Sequence, residues 1–330
     1  MAGGWGKKCP VVPHWPHAIF SRKVPVSGTL YVGWNPRRFA SRSLTKIFRE
    51  WSQGLKLSRE LMQILLTNDD GIYAKGLAAM ERALRKIGDV MVAAPSTEQS
   101  GVSQSITFLR PLVGHQVYDG DRLRGYAIDG TPADCVKLAV TQYCAHRPDL
   151  IVSGINGGLN AGINILYSGT VGAAMEGALF GIPSFAVSLE WDDNPQFDVA
   201  ADYAIQLIQQ TMAHRQADQH LFNINFPTQS LIDGDPECVI VPMATNRYGH
   251  HFVKRMDPKK RTYYWATNDP DPEPTLHDTD VMELKEGKVT LTPLHVDLTL
   301  KSGLDQMSNW KWEPLAPSET LEKKPTEDLS

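Results

Sequence analysis

The sequence has few cysteines and no long apolar run, and both absences narrow the possible classes of protein. Its four cysteines in 330 residues are far apart and form no Cys-x-x-Cys pair, so the spacing indicates neither a disulfide framework nor a zinc site. Such cysteines are typical of small core residues or of free thiols in a reducing compartment. No apolar stretch approaches the roughly 20 residues of a membrane span. We therefore expect a cytoplasmic protein that has no membrane partner.

Acidic residues are almost missing from the first 61 residues, although the chain as a whole is acidic. Residues 1–61 contain 11 Lys and Arg but only two acidic residues, a net charge of +9, and the chain total of −4 leaves −13 for the remainder. So much negative charge on residues 62–330 argues against a nucleic-acid polymer as the main partner. It also requires a local cation before it can hold a phosphate.

Residues 1–61 form a basic segment without clear periodicity, and three explanations fit it. It could be an organelle transit peptide, a disordered basic arm, or an over-extended reading frame whose true start is Met62, directly before the first predicted strand. All three explanations exclude residues 1–61 from the fold.

From Met62 onward, apolar strands alternate with helical patterns. A strand is predicted at 63–67, and the apolar positions that follow it have the three- and four-residue spacing of a helix, at Leu77, Met80, Leu84 and Ile87. The alternation continues to a strand at 221–226. It predicts an α/β fold with a Rossmann-like, mainly parallel sheet that is covered by helices on both faces.

The composition changes beyond about residue 245. We expect an α/β catalytic core over 62–245, and a β-rich arm over 246–312 that serves oligomerisation, in a homodimer or homotetramer. Residues 313–330 are charged and contain proline, which is typical of a disordered tail.

Two adjacent carboxylates, Asp69 and Asp70, follow the first predicted strand, and Gly71 allows the chain to turn there. Carboxylates held so close together repel each other unless one is protonated or a cation lies between them. Oxygen ligands suit a hard divalent ion such as Mg²⁺ or Mn²⁺. The alternative is an Asx turn or a helix cap, which the same residues favour.

Two further polar loops, 96–105 and 154–162, follow later predicted strands. In open parallel sheets, ligands bind at the carboxyl ends of the strands. The three loops supply oxygen atoms but no sulfur or imidazole, and they suit Mg²⁺, Mn²⁺ or Ca²⁺ better than Zn²⁺. Each loop alone is compatible with ordinary turn chemistry, whereas their joint occurrence at successive strand ends favours a metal site.

Small residues at 167–174 lead into a predicted helix. Backbone N–H groups there can approach a ligand closely, and a helix N-terminus favours an anion; Thr170 could also be a simple N-cap. A phosphate held there, opposite a metal on Asp69 and Asp70, would form a phosphoryl-transfer site. The spacing is not that of a Walker A motif, since the lysine is missing, and the first loop is not Asp-x-Asp.

Four motifs in this order, at 64–72, 130–136, 153–160 and 167–174, resemble those of the SurE family of metal-dependent 5′/3′-nucleotidases. The resemblance extends from Met62 to about Leu300. It implies phosphate release from nucleoside 5′- and 3′-monophosphates, with one Mg²⁺ or Mn²⁺ per subunit bound by residues matching Asp69, Asp70, Ser100 and Asn156. Asp69 and Asp70 would also orient or deprotonate the attacking water, and the expected phosphate-binding residues are Asn160, Ser168, Gly169 and Thr170.

The second loop departs from the family pattern, because it reads Thr97-Glu98-Gln99 where members often have a run containing Arg and Asn. The departure leaves Ser100 in place but changes the substrate contacts expected of this loop. The alternative function is a nucleotide-binding regulatory protein with little turnover.

Overall fold

The computed structural model describes residues 61–312, apart from 233, 235, 247–250 and 268–277. The predicted tail over 313–330, and all but the last residue of the predicted basic extension, lie outside the described residues. The strands are β1 (Met62–Thr67), β2 (Gly88–Pro95), β3 (Gly114–Asp119), β4 (Arg122–Ile128), β5 (Leu150–Gly157), β6 (Ser184–Leu189), β7 (Leu221–Phe226), β8 (Cys238–Ile240), β9 (His251–Met256), β10 (Thr262–Thr267) and β11 (Val289–Leu294).

Seven α-helices are described, six of them between these strands and the last one after β11. They are α1 (Lys75–Leu84), α2 (Pro132–Leu138), α3 (Gly169–Leu179), α4 (Phe197–His214), α5 (Thr228–Ile232), α6 (Asp280–Lys285) and α7 (Lys301–Ser308). A π-helical turn at Ala139–Tyr143 and a 3₁₀ helix at Gly162–Leu166 add two short elements. No helix in the described part of the chain is long and apolar enough to cross a membrane.

Nine of the strands form one sheet in the order β3-β4-β2-β1-β5-β6-β7-β11-β8. Neighbouring strands from β4 to β7 are parallel, whereas β3 and β11 run antiparallel to β4 and β7. The chain first builds the sheet outward from β1 through β2 and β4, and then returns to the other side of β1 with β5. The boundary between β1 and β5 is therefore the topological switch point, where α/β proteins bind their ligands.

Helices pack on both faces of this sheet, because successive residues of a buried strand point to opposite sides. In β1, Ile64 and Leu66 join the apolar cluster formed with α1 and α4. Leu65, between them, joins the cluster formed with α2 on the other face, and α3 adds a third cluster with Val171 and Ala174. The predicted α/β class is confirmed.

The C-terminal part of the described chain differs from the predicted β-rich arm. Strands β9 and β10 pair only with each other, as an antiparallel hairpin, and this hairpin fits an arm. In contrast, β11 pairs with β7 inside the main sheet, and α6 places Asp280 in the buried interior. Residues 280–294 thus belong to the core, because Val289 and Leu291 bury their side chains against it. The role of the hairpin in oligomerisation and the domain limits stay predictions.

Strands β3 and β4 form a third antiparallel pair among the described strands, which the sequence pattern did not indicate. Their side chains are mostly exposed or half-buried, so the pair lacks the continuous apolar run of the central strands. Strand β4 nevertheless pairs in parallel with β2 and leads into α2. Thr131 begins that helix with a capping box, which agrees with the predicted N-cap.

Candidate functional site

The candidate site lies at the carboxyl ends of β1 and β5. Strand β1 ends at Thr67, and Asn68 separates it from the two predicted carboxylates. Thr67 pairs with Ser153 of β5, and β5 continues to Gly157. The two loops that were predicted from separate parts of the sequence therefore leave neighbouring strands at the same edge of the sheet.

Asn68 and Gly71 close the turn that carries the carboxylates. The Asn68 side chain donates to the Gly71 carbonyl at 3.0 Å and accepts from the Gly71 N–H at 3.2 Å. Gly71 has a φ of 99°, which strains any residue with a side chain. Both bonds join Asn68 to the residue three positions on, whereas an Asx turn uses the N–H two positions on. Asn68 thus closes the turn, and the side chains of Asp69 and Asp70 take no part in these two bonds.

Asp69 is only 4% exposed and faces the start of α3. The Thr170 hydroxyl donates to its Oδ1 at 2.5 Å. A Cβ on Gly169 would lie 2.9 Å from the Asp69 Cβ, closer than packed carbons tolerate, so a glycine is needed where this helix meets the carboxylate. Burial raises the pKa of Asp69 above its usual value, the hydrogen bonds from Thr170 oppose that rise, and the charge of Glu98 adds to it.

Asp70 is half-buried and accepts one long hydrogen bond, from the Gly157 N–H to Oδ2 at 3.4 Å. Burial, together with the charges of Asp69 and Glu98, raises the pKa of Asp70 to about 6, and the bond from the Gly157 N–H opposes that rise. Near neutral pH the metal-free site thus holds two carboxylates in a poorly hydrated place, where negative charge is costly.

The second loop reaches the site through its backbone. The Gln99 N–H donates to the Asp69 carbonyl at 2.8 Å, which brings the loop against the first one. Ser100 is exposed, and its hydroxyl donates to Glu98 Oε1 at 2.7 Å. Ser100 therefore directly follows Gln99, which contacts the first loop. Its role as a metal ligand stays a prediction.

The third loop is similarly close. Asn156 is half-buried, and its amide donates to the Gly158 carbonyl at 2.7 Å, which leaves its side-chain oxygen without a bond among those described. The next residue, Gly157, makes the bond to Asp70. This geometry places Asn156 beside the carboxylates, and its coordination of a metal also stays a prediction.

Asn160 is fixed by a buried polar network that was not foreseen. Its backbone N–H donates to Asn225 Oδ1 at 2.8 Å, and its amide donates to Ser188 Oγ at 2.9 Å and to Thr170 Oγ1 at 3.5 Å. Its carbonyl accepts from the amides of Asn223 and Asn225. The network connects β6 and β7 to Thr170, and through Thr170 to Asp69. The two asparagines on one face of the apolar strand β7 were the available signal in the sequence.

The predicted phosphate-binding residues surround the start of α3, and each also has a structural partner. Ser168 is the N-cap, and its hydroxyl accepts from the Val171 N–H at 3.2 Å. The Thr170 hydroxyl donates its hydrogen to Asp69. In this structure it therefore orients that carboxylate. Phosphate binding by Asn160, Ser168, Gly169 and Thr170 stays a prediction.

The residues at this edge fit a divalent metal ion by their chemistry. They offer carboxylate, hydroxyl and amide oxygens, the donor set of a hard cation, and the raised pKa values of Asp69 and Asp70 show that positive charge between them would be favourable. No group of three or more His, Cys, Asp or Glu side chains among the described residues is arranged as a metal site. A site here would thus depend on the neutral oxygens as well as on the two carboxylates.

Glu98 and Trp191 are two neighbours of the site that the sequence did not single out for it. Glu98 was noted only as a departure from the family pattern, whereas its charge raises the pKa of both aspartates. Trp191 follows β6 at the same edge of the sheet and is 75% exposed. An isolated tryptophan in a polar segment carries no periodic signal, so only its position in space identifies it.

Comparisons with known proteins show the family of the chain. A profile of the family described as "Survival protein SurE" matches residues 64–250. The chain is 49% identical over 254 residues to a protein of Rhodopirellula baltica named 5′-nucleotidase SurE, an alignment that covers 77% of this chain and 100% of that protein. It is 40% identical over 249 residues to a protein of the same name from Caldanaerobacter subterraneus, covering 75% of this chain and 97% of that protein.

A solved structure supports the same relationship at the level of the fold. The crystal structure of the SurE protein from Aquifex aeolicus superposes with a TM-score of 0.66 at 33% sequence identity, and covers 74% of this chain and 98% of that one.

Proposed function

The chain belongs to the SurE family, and on that premise we propose that it is a divalent-metal-dependent nucleotidase that releases phosphate from nucleoside 5′-monophosphates. The names of its curated relatives support the nucleotidase activity. The observation that carries the proposal is the pair Asp69 and Asp70 at the topological switch point, buried and with raised pKa values, because such perturbed carboxylates cluster at functional sites.

In this proposal, one Mg²⁺ or Mn²⁺ per subunit is held by Asp69, Asp70, Ser100 and Asn156. When bound, the ion would polarise a phosphoryl oxygen and lower the pKa of a water molecule. Asp69 is kept in position by Thr170, and Asp70 by the Gly157 N–H. The two carboxylates also orient the attacking water or accept its proton.

The phosphoryl group is proposed to lie at the start of α3. Ser168, Gly169 and Thr170 begin this 11-residue helix, whose N-terminus carries a positive partial charge that attracts anions. The Asn160 amide donates to the Thr170 hydroxyl and helps to hold that side chain in position. These groups would stabilise the negative charge that redistributes over the phosphoryl oxygens during transfer.

The proposal also covers a second substrate position, the assembly of the protein and its location. Activity on 3′-monophosphates follows from the family resemblance alone. Assembly as a homodimer or homotetramer would use the β9–β10 hairpin, which exposes Phe252, Tyr264 and Trp265. A cytoplasmic location agrees with the free thiols of Cys135, Cys144 and Cys238.

Phosphate release from adenosine monophosphate tests the proposed function. The protein should hydrolyse it with added Mn²⁺, lose the activity in excess chelator, and regain it when Mn²⁺ is restored. Binding of the nucleotide without phosphate release, at any Mn²⁺ concentration, would instead support the regulatory alternative.

A further inference from the structure

A cavity of about 360 Å³ adjoins the candidate site on the side of Asp70. Its volume lies in the range of about 300–1,000 Å³ that is common for small-molecule sites. The lining includes Asp70 and Gly157 of the site itself, together with Lys75, Trp191, Asp192 and Phe197. A larger cavity of about 480 Å³ lies at α4, β7, β8 and β11, and its lining contains none of the predicted site residues. The smaller cavity is thus the one placed to hold the remainder of a substrate whose phosphate lies near the carboxylates.

Trp191 presents an aromatic surface to this cavity. Its indole carbons Cε3 and Cζ3 lie 3.7 Å from the place that a Cβ on Gly157 would occupy, and Phe197 Cζ lies 3.9 Å from the same place. Gly157 also donates its N–H to Asp70. The exposed ring of Trp191 therefore lies beside Gly157, the residue that donates to a carboxylate of the candidate site. Large exposed apolar side chains beside a cavity are typical of binding sites.

The backbone on both sides of Trp191 is held in place. The Glu190 N–H donates to the Phe226 carbonyl at 2.8 Å, and Glu190 Oε2 accepts from the Thr228 N–H at 2.8 Å. On the other side, Asp192 Oδ1 accepts from the Asn194 N–H at 2.7 Å. The ring is thus presented from an ordered turn, which lowers the entropy cost of binding a ligand to it.

The charges of the cavity select which part of a nucleotide can enter it. Four carboxylates, Asp70, Glu190, Asp192 and Asp193, line it with one cation, Lys75, so its formal net charge is −3. Such a lining repels a phosphate, whereas carboxylates accept hydrogen bonds from the hydroxyl groups of a ribose and from the amino groups of a base. The cavity suits an uncharged, planar group that carries hydrogen-bond donors.

We propose that this cavity binds the nucleoside part of the substrate, with the base stacked on Trp191. This assignment rests on the proposed nucleotidase function, since it places the phosphate at Asp69 and Asp70 and the base beyond Asp70. Stacking on an aromatic ring tolerates every base, because every base has a π-face. Trp191 would therefore distinguish nucleotides from other phosphate esters more than it distinguishes one base from another.

The test compares kcat/KM for adenosine monophosphate with kcat/KM for methyl phosphate, which has no base to stack. In Trp191→Ala the ratio of the two should fall about tenfold, within the range that base stacking provides, and the change should lie mainly in KM. Trp191→Phe should retain most of the ratio. Tyr118→Ala, which removes a 55% exposed aromatic side chain from β3, is the matched control and should keep the wild-type ratio. An unchanged ratio in Trp191→Ala would overturn the assignment.

Adenosine binding by calorimetry separates this inference from the proposed function. If no phosphate ester is hydrolysed, the nucleotidase proposal fails, yet adenosine binding that is lost in Trp191→Ala and kept in Tyr118→Ala still supports the nucleoside site. Absence of adenosine binding to the wild-type protein, or binding that persists at the same affinity in Trp191→Ala, overturns the site whether or not the enzyme is active.

Discussion

Two regions of the molecule hold buried carboxylates in opposite ways. Asp134, in the first turn of α2, accepts from the Thr107 N–H at 3.0 Å, the Thr107 hydroxyl at 2.6 Å and the Thr131 N–H at 3.0 Å. Burial alone would raise the pKa of Asp134, but these hydrogen bonds outweigh it, and the pKa lies below its usual value. Asp70, in the loop after β1, has one long bond and a pKa raised to about 6.

The difference separates a structural carboxylate from a functional one. The protein itself satisfies the oxygens of Asp134. It likewise satisfies those of Asp280, which accepts from three backbone N–H groups at 2.8 Å, although burial still raises the pKa of that carboxyl. The supply of hydrogen-bond donors, more than the direction of the pKa shift, therefore separates the two kinds of carboxylate. Asp70 receives burial and neighbouring negative charge but one long hydrogen bond, and Asp69 beside it is buried and accepts hydrogen bonds from Thr170. The remaining lone pairs of Asp70 are available to a cation.

The largest expected effect is that of Asp70→Asn, which keeps the size and removes the charge. Phosphate release should fall by more than about a hundredfold, since changes to residues that merely support metal ligands already cost about 10- to 100-fold. The melting temperature of the metal-free protein should nevertheless rise, because the variant relieves the repulsion between two buried carboxylates. Steady-state kinetics and thermal unfolding in chelator measure the two effects.

Asp134→Asn is the matched control for that variant and should show the reverse. Its amide nitrogen would face an N–H or O–H donor, and a buried donor without an acceptor costs about 1–3 kcal/mol of stability. Turnover below the lowered melting temperature should stay near that of the wild type. If both variants lost stability and kept activity, the comparison would be wrong.

The pH dependence of metal binding distinguishes the two regions without a mutation. Because the folded pKa of Asp70 is raised to about 6, a proton competes with the metal below that pH, and the affinity should fall about tenfold per pH unit there. For the metal-free protein, the stability that comes from protonated Asp70 is present at low pH and is lost as the pH rises through about 6. Mn²⁺ titrations between pH 5 and about 8, and unfolding in chelator, measure both; a flat metal affinity would contradict the assignment.

Thr170→Val deletes the hydroxyl that donates to Asp69 and preserves the shape of the side chain. We expect a metal affinity about tenfold weaker, as for other supporting hydrogen bonds, and recovery of turnover at saturating Mn²⁺. Unchanged metal affinity together with a raised KM would show instead that the hydroxyl binds phosphate, as the sequence had suggested. Thr131→Ala is the control, since it removes the N-cap hydroxyl of α2 and should mainly lower stability, by about 1 kcal/mol.

The smallest effect is expected for Glu98→Gln. The charge of Glu98 raises the pKa of both aspartates, but it is the last of the causes that act on them. Its removal should move the acid side of the pH–activity profile to lower pH by less than about one unit. A shift to higher pH, or a loss of activity as large as that of Asp70→Asn, would mean that Glu98 itself takes part in the site.

The sequence predicted the central fold and the location of the site for physical reasons. The strand–helix alternation from Met62 to Phe226 depends on local periodicity, and the switch-point rule then collects the loops at one edge. The β3–β4 pair and the place of β11 in the main sheet were missed, because a half-exposed strand has a weak pattern and because the pairing of β11 with β7 joins residues far apart in the chain.

Side-chain partners were the part that the sequence could not supply. The hydroxyl of Thr170 is an N-cap, a phosphate ligand or a partner of Asp69 depending on contacts at a sequence separation of 101 residues. The same holds for the Asn160 network and for Trp191 beside Gly157. Such contacts are fixed by the packing of α3 and of the loop after β6, which local propensity does not determine.

Direct measurement of Mn²⁺ binding tests the central claim that Asp69 and Asp70 form a cation site and Asp134 does not. Calorimetric titration of the metal-free wild-type protein at pH 7.5 should give one Mn²⁺ per chain, the same stoichiometry in Asp134→Asn, and no measurable binding in Asp70→Asn. Mn²⁺ binding by Asp70→Asn with wild-type affinity would contradict the account.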